Sequence, residues 1–240
     1  MQIIAISGRK QSGKTTIGNF ILSLFLSNMG VSKEIKIDDT GDLLLSDLYG
    51  NTTYNRITPR HKFKNDFVIC KLYDELDKYI KIYNFADTLK QNLCMNIFGM
   101  SYEQCYGSDE DKNSMTDLYW EGKQLSAREA MQIIGTDLCR KLKNNVWIDA
   151  TMSLILQESP KLAIITDCRF PDEVTAVKNS GGRVIRLTRN IHHSEHISET
   201  SLDKENYDWN NFSYILDNQS LSIYEQSLRI QEWLQTVPLN

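Results

Sequence analysis

The feature that most constrains this chain is an octapeptide near its amino terminus, Gly8-Arg9-Lys10-Gln11-Ser12-Gly13-Lys14-Thr15, which satisfies G-x-x-x-x-G-K-[ST]. It follows an apolar run at residues 2–7 that reads as a buried strand. It precedes Ile17, Phe20, Ile21, Leu24 and Phe25, which fall at helical spacing, with Gly30 as a left-handed stop. A strand that passes into a helix through such a loop is a phosphate cradle. Four residues between the glycines let backbone N–H groups turn inward, and the positive end of the helix adds its field to theirs. Gly8, Ser12, Gly13, Lys14, Thr15 and Thr16 are therefore the expected ATP-binding residues, with Lys14 reaching the β- and γ-phosphates and the Thr15 hydroxyl holding Mg2+.

The rest of the chain suits a domain built around such a loop. In 240 residues, 41% hydrophobic and 24% charged, short β-branched runs alternate with longer helical patterns, which indicates an α/β fold with a mainly parallel sheet covered on both faces. The expected strands are residues 2–7, 80–85, 162–166, 183–187 and 213–216. Asp87 can cap a helix carrying Leu89, Leu93 and Ile97 that ends at Gly99, and Ser126-Ala127-Arg128-Glu129 is a capping box that starts another. Pro171, followed by Asp172 and Glu173 and closed by Gly181-Gly182, brackets a further helix. Residues 31–79 break the rhythm and read as an insertion, with a polar turn at 38–42 between two apolar stretches suggesting a hairpin. Residues 100–125, polar and turn-rich, are expected to form a mobile surface segment.

Composition excludes several classes. No apolar run approaches the ~18 residues of a membrane span. A formal net charge of −4 leaves no overall basic field for nucleic acid, so any polyanion must meet a local cluster. Arg56, Arg60, His61, Lys62 and Lys64 form one basic run inside the insertion; solvation is its ordinary meaning. The five cysteines contain no C-x-x-C pair, and free thiols in a reducing cytoplasm are the simplest reading. Sequons at Asn51, Asn211 and Asn218 then carry no meaning. His192-His193-Ser194-Glu195-His196 matches H-x-x-E-H formally but lacks a helical apolar face, so zinc is not expected.

Asp167 closes the strand at 162–166 and should emerge at the carboxyl edge of the sheet, where it could orient Mg2+ through water or simply serve a turn. Arg189, after the strand at 183–187, is a candidate lid arginine that would meet the transferring phosphoryl group, or else an exposed loop charge.

Beyond the loop, Ser126-Ala127-Arg128-Glu129-Ala130-Met131-Gln132-Ile133-Ile134-Gly135-Thr136-Asp137, then Trp147, then Thr166-Asp167-Cys168-Arg169-Phe170-Pro171-Asp172-Glu173, then His196-Ile197-Ser198-Glu199 closely resemble the tailed-phage deoxynucleoside monophosphate kinases. The phrase Phe85-Ala86-Asp87-Thr88-Leu89-Lys90 is similar to that family's second strand and following helix. The matches span residues 1–30 and 80–220 in the family's order. This resemblance implies a single three-layer P-loop domain with core strand order 2-3-1-4-5, a homodimer, an acceptor-binding region at 100–160 and a lid at 189–205. It also implies transfer of the γ-phosphoryl of ATP to a deoxynucleoside 5′-monophosphate. By the same similarity Arg128, Gln132, Gly135, Thr136, Trp147, Arg169 and Glu173 line the acceptor site.

Elementary chemistry agrees in outline. A monophosphate dianion needs a guanidinium fork, which Arg128 or Arg169 can supply, and a base needs a stacking plane and an amide edge, which Trp147 and Gln132 could provide. Trp147 equally fits core packing with Ala150, Thr151 and Leu154, Arg128 fits a solvated first turn, and Lys90 is either a phosphate ligand or a surface lysine. Two other functions share the loop: an ATP-binding sensor or interaction module without transfer, and a kinase of another small acceptor such as dephospho-coenzyme A. The clustering of Arg128, Gln132, Arg169 and Glu173 argues against the sensor, and Gly135-Thr136-Asp137 favours the deoxynucleotide branch.

Overall fold

A computed structural model describes residues 1–30, 35–39, 41, 43–45, 55–56, 76–191 and 195–237. In chain order its elements are β1 (Gln2–Ser7), α1 (Lys14–Asn28), β2 (Ile35–Ile37), β3 (Leu43–Leu45), β4 (Asn55–Arg56), β5 (Ile80–Tyr83) and a π-helix, α2 (Leu89–Ile97). Then come α3 (Tyr102–Tyr106), α4 (Asp109–Asn113), β6 (Met115–Trp120), β7 (Lys123–Ser126), and α5 (Ala127–Gln132), which continues as a π segment over Ile133–Arg140. The remainder is α6 (Val146–Glu158), β8 (Leu162–Cys168), α7 (Pro171–Asn179), β9 (Arg183–Leu187), α8 (Ile197–Thr200), β10 (Tyr214–Leu216) and α9 (Ile223–Thr236). These pack as two compact units, residues 1–83 with 157–240, and residues 84–156.

The first unit is organised by a five-stranded sheet of order β10-β9-β1-β8-β5 with every pairing parallel. Numbered along the chain as core strands, this is 2-3-1-4-5, as the resemblance implies. Ile3 to Ile6, Leu162 to Ile165 and Val184 with Ile185 are all but inaccessible, as parallel strands covered on both faces must be. The apolar stripe of α1, including Ile17, Ile21 and Leu26, packs into the same core as Ile230 and Leu234 of α9. Because α1 and α7 follow strands whose crossovers run in opposite directions along the sheet, right-handed connection places them on opposite faces. The three-layer expectation thus holds.

Three strand boundaries differ from expectation, the third being β10, which starts at Tyr214 rather than at 213. Core strand β5 ends at Tyr83 rather than at 85, and β8 runs on to Cys168, so Asp167 sits inside the strand instead of after it. The cause of the second is a register shift: Ala5 faces Ile165 but Ser7 faces Cys168, which gives β8 one extra residue. In the insertion, β2 and β3 pair antiparallel with Ile37 opposite Leu43, which is the expected hairpin, and β4 adds to β3. Asn19 of α1 donates to Gly41 O in its turn (2.9 Å). The basic residues 60, 61, 62 and 64 lie outside the described residues.

In the second unit, the stretch expected to be mobile carries regular structure. Ser101 with Gln104 and Ser108 with Asp111 form capping boxes that start α3 and α4, and β6 and β7 make a hairpin across Glu121 (φ 50) and Gly122 (φ 80). These short-range signals outweigh the polar composition. The core here is Leu89, Cys94, Met100, Cys105, Leu125, Ile134 and Trp147, with Ala127 and Ala130 of α5. The helix at 89–97 ends at Gly99 as expected, but its carbonyls are offset by a π ladder. Asp87 accepts from Asn84 Nδ2 and Tyr106 OH instead of capping it. Among the described residues no helix is long and apolar enough to cross a membrane.

Candidate nucleotide site

All five parallel strands end at one edge, and the loop that leaves β1 emerges there between β8 and β9, next to the point where crossovers change direction. The loop closes with Ser12 N donating to Arg9 O (3.2 Å), and Ile17 N to Gly13 O (3.0 Å) opens the helix. Gly13 takes φ +96, a left-handed conformation that would strain any L side chain. Gly8 is required for a different reason: a Cβ there would collide with Ser12 Oγ and crowd Leu187. Ser12 is 1% exposed, and among the described residues its hydroxyl has no hydrogen-bond partner, so it is a buried donor available to a phosphate oxygen.

Lys14 is 8% exposed and its ammonium donates to Gly8 O (2.8 Å) and Arg9 O (2.6 Å), folding back on the loop that carries it. Burial is the largest cause pushing its pKa down to about 7, and the positive charge of Arg169 pushes the same way. Glu199 and Asp167 oppose them. Thr15 is exposed at the first turn of α1, whereas Thr16, expected beside it in the cradle, packs its side chain against Gly41 of the insertion turn.

Three arginines join Lys14 at this edge. Arg186, 4% exposed in β9, donates from Nη1 to Ser7 Oγ (3.0 Å) and from Nη2 to Asp203 Oδ1 (3.2 Å), and its guanidinium stacks near the Trp209 ring. Arg9 forks onto the Asp203 carboxylate through Nε and Nη2, a contact that holds its pKa above the usual arginine value. Arg169 ion-pairs with Glu199, whose other carboxylate oxygen accepts from Lys10 N at 2.5 Å. A cavity of about 460 Å3 opens beside Arg9, lined by Thr188, Asn190, Trp209, Asp217 and Gln219 among others.

The loop is also held from behind. Asn218, fully buried after β10, donates from Nδ2 to Ser12 O (2.9 Å) and Gln226 Oε1 (3.0 Å), while its Oδ1 accepts from Arg189 N (2.8 Å). In the sequence Asn218 stands out only as a sequon and Gln226 not at all, and only the position of Asn218 just past a core strand could have suggested its role here.

In the second unit Arg128, Gln132 and Thr136 lie at i, i+4 and i+8 along α5 and its π continuation, with Gln132 and Thr136 exposed. Arg128 pairs with Asp109 (2.8 Å) and donates to Asn113 (3.0 Å). Glu129, in the capping box, accepts from Lys123 and Ser126 and is held down at about 2. Lys90 lies over the Tyr106 ring at 4.5 Å, and Tyr106 stacks on Tyr102. Long π segments are rare and cluster at functional sites, and this unit carries two.

A family model described as deoxynucleotide monophosphate kinase matches residues 2–226. The chain belongs to the deoxynucleotide monophosphate kinase family. Among its relatives, a protein of Acanthamoeba polyphaga mimivirus named as a deoxynucleotide monophosphate kinase is 31% identical over 118 residues, which is 44% of this chain and 59% of the relative. The deoxynucleoside-5′-monophosphate kinase of Escherichia phage T5 is 32% identical over 68 residues, 28% of this chain and 24% of that protein. The chain thus spans less than two thirds of the length of either curated relative.

Within the family's frame the expected site residues fall into three groups. Gly8, Ser12, Gly13, Lys14, Thr15, Asp167 and Arg169 come together at the sheet edge of the first unit. Arg128, Gln132 and Thr136 share one face in the second, where Gly135 is buried and a Cβ on it would come within 2.7 Å of Leu89. The third group is engaged in holding the fold. Glu173, 2% exposed, accepts from Arg169 N (2.6 Å) and Phe170 N (3.1 Å) and so fixes the turn that aims Arg169. Trp147, 6% exposed, donates to Gly135 O (3.1 Å) from within the core. Arg189 donates to Asn218 O (3.0 Å) and Leu221 O (2.7 Å). His192 and His193 lie outside the described residues, and His196 caps α8 by accepting from Ser198 N.

Proposed function

We propose that the protein transfers the γ-phosphoryl of ATP to a deoxynucleoside 5′-monophosphate, giving ADP and a deoxynucleoside diphosphate. The observation that carries this reading is the convergence of Lys14, Arg9, Arg169 and Arg186 on the glycine-bounded loop, in a chain of this family. Phosphoryl transfer is mostly positioning and charge neutralisation, and the attacking oxygen of an acceptor phosphate is already anionic, so no general base is needed. The loop amides and Lys14 hold the β- and γ-phosphates. Arg169, aimed by Glu173, steadies the transferring group. We assign that contact to Arg169 because Arg189 would have to abandon two carbonyls to make it.

The donor set fits magnesium: one hydroxyl, Thr15, and one carboxylate, Asp167, leave room for the phosphate oxygens and waters this ion keeps, and no group of three or more His, Cys, Asp or Glu that could hold a metal occurs among the described residues. Bound there, magnesium would neutralise charge on the β- and γ-phosphates. The cavity beside Arg9 is of a size for the adenine. On the acceptor side Arg128 supplies the fork for the monophosphate, Gln132 and Thr136 the polar edges, and Lys90 further charge. A homodimer in a reducing cytoplasm completes the proposal, and light scattering reads the assembly.

The test is ADP formation measured across deoxy- and ribonucleoside monophosphates. We expect turnover with at least one deoxynucleotide and a loss of ~10²-fold or more in Lys14→Ala. Turnover with none of the panel, or an unchanged rate in that variant, refutes the reading.

A further inference from the structure

Two acidic side chains of one short segment sit on the donors that a phosphate chain would need. Glu199 lies on α8, and Asp203 follows one turn later, with Asp203 N donating to Thr200 O (3.0 Å), so both carboxylates present to the same side. Glu199 bridges a loop amide, Lys10 N, and the Arg169 guanidinium. Asp203 bridges Arg9 and Arg186. Each carboxylate thus joins two cationic or N–H donors at the loop, the pairing by which phosphate oxygens are bound. With side chains 10% and 15% exposed, Glu199 and Asp203 are mostly withdrawn from water, which a surface ion pair would not require.

A loop amide, Lys10 N, and the guanidinium groups of Arg9, Arg169 and Arg186 together suit an anion, and here the chain supplies one through Glu199 and Asp203. We propose that Glu199 and Asp203 are internal stand-ins for the nucleotide's phosphates: the segment around α8 docks on the empty cradle through them and must let go when a polyphosphate binds. The inference rests on the nucleotide-binding reading above. It has a quantitative consequence, since a ligand that binds only the released form sees its affinity divided by the fraction released. Removing one carboxylate's charge should therefore tighten polyphosphate binding, the opposite of what removing a ligand-holding residue does.

The experiment is calorimetric titration of the full chain with Mg·ATP and, separately, with inorganic tripolyphosphate, for wild type, Glu199→Gln and Asp203→Asn. Each variant is expected to bind both probes about tenfold more tightly. Hydrogen exchange on the nucleotide-free wild type adds a reading that needs no variant: the Lys10 amide should be protected. In a folded Glu199→Ala variant without nucleotide, which removes the acceptor, that protection should be lost. Equal or weaker binding by the variants when wild type binds ATP overturns the stand-in role and leaves the nucleotide reading intact, as does an unprotected Lys10 amide in the empty wild type. Failure of wild type and both variants to bind ATP defeats the nucleotide reading itself.

Discussion

Lys14 offers a prediction that can be worked through to a number. Its ammonium is buried against two carbonyls of its own loop, and burial, with Arg169 nearby, pushes its pKa from the ordinary 10.5 down to about 7. A triphosphate placed in the cradle reverses the balance, because close opposite charge favours the ammonium. With a free-state pKa near 7, only about a tenth of the lysine is charged at pH 8, so binding should draw in ~0.9 proton per nucleotide at that pH and ~0.5 at pH 7. Mg·ATP is fully ionised at pH 8 and contributes no proton of its own. Titrations in buffers of different ionisation enthalpy give the uptake as a slope, and the binding constant should fall close to tenfold per unit above pH 7. Lys14→Arg keeps a charge that does not titrate, so its slope should collapse. A wild-type slope of zero at pH 8 would show that Lys14 is already charged in the empty loop and that its burial is not what governs it. The sign for folding is the reverse of that for binding. The unfolded chain keeps this proton up to about 10.5 and the folded loop releases it near 7, so the empty protein gains stability from Lys14 as pH rises through that window.

Two further substitutions separate holding the fold from touching substrate. Glu173→Ala leaves the part-buried N–H groups of Arg169 and Phe170 without this acceptor and should cost about 1–2 kcal/mol in urea unfolding; a loss below about 0.5 kcal/mol would remove its capping role. Trp147→Phe deletes the bond to Gly135 O and should lower stability by about 1 kcal/mol while leaving the KM for the acceptor nearly constant; a large KM change at unaltered stability would make the indole a base platform instead.

Much of the architecture was readable because it rests on short-range chemistry. The glycine-bounded loop, the capping box at Ser126 and Glu129, the Pro171 start of α7 and the Gly30 and Gly99 stops each operate within a few residues. The hairpin at 35–45 belongs to the same class. In the segment 100–125 the signals are equally local, S-x-x-Q, S-x-x-D and a Glu-Gly turn, and they outweigh the polar composition that suggests mobility. The π ladder of α2 was beyond reach, since Leu89, Leu93 and Ile97 suggested a four-residue step while packing buries Leu89 and Cys94, five apart, and exposes Ile97.

By itself, the sequence determined that a phosphate-binding loop joins the first strand to the first helix, that four further apolar strands complete a parallel sheet, and where most helices begin. These follow from residue type and spacing along the chain, which neighbouring atoms feel directly. Only the tertiary structure decided which charges face one another. Lys10 meets Glu199 across 189 positions, Arg9 meets Asp203 across 194, and Asn218 supports Ser12 across 206. It also placed Glu173 on the N–H groups of Arg169 and Phe170 and Trp147 on Gly135 O. A side chain's partner depends on which backbone atoms burial brings within hydrogen-bond reach, and that depends on strand order and register, which no local spacing records.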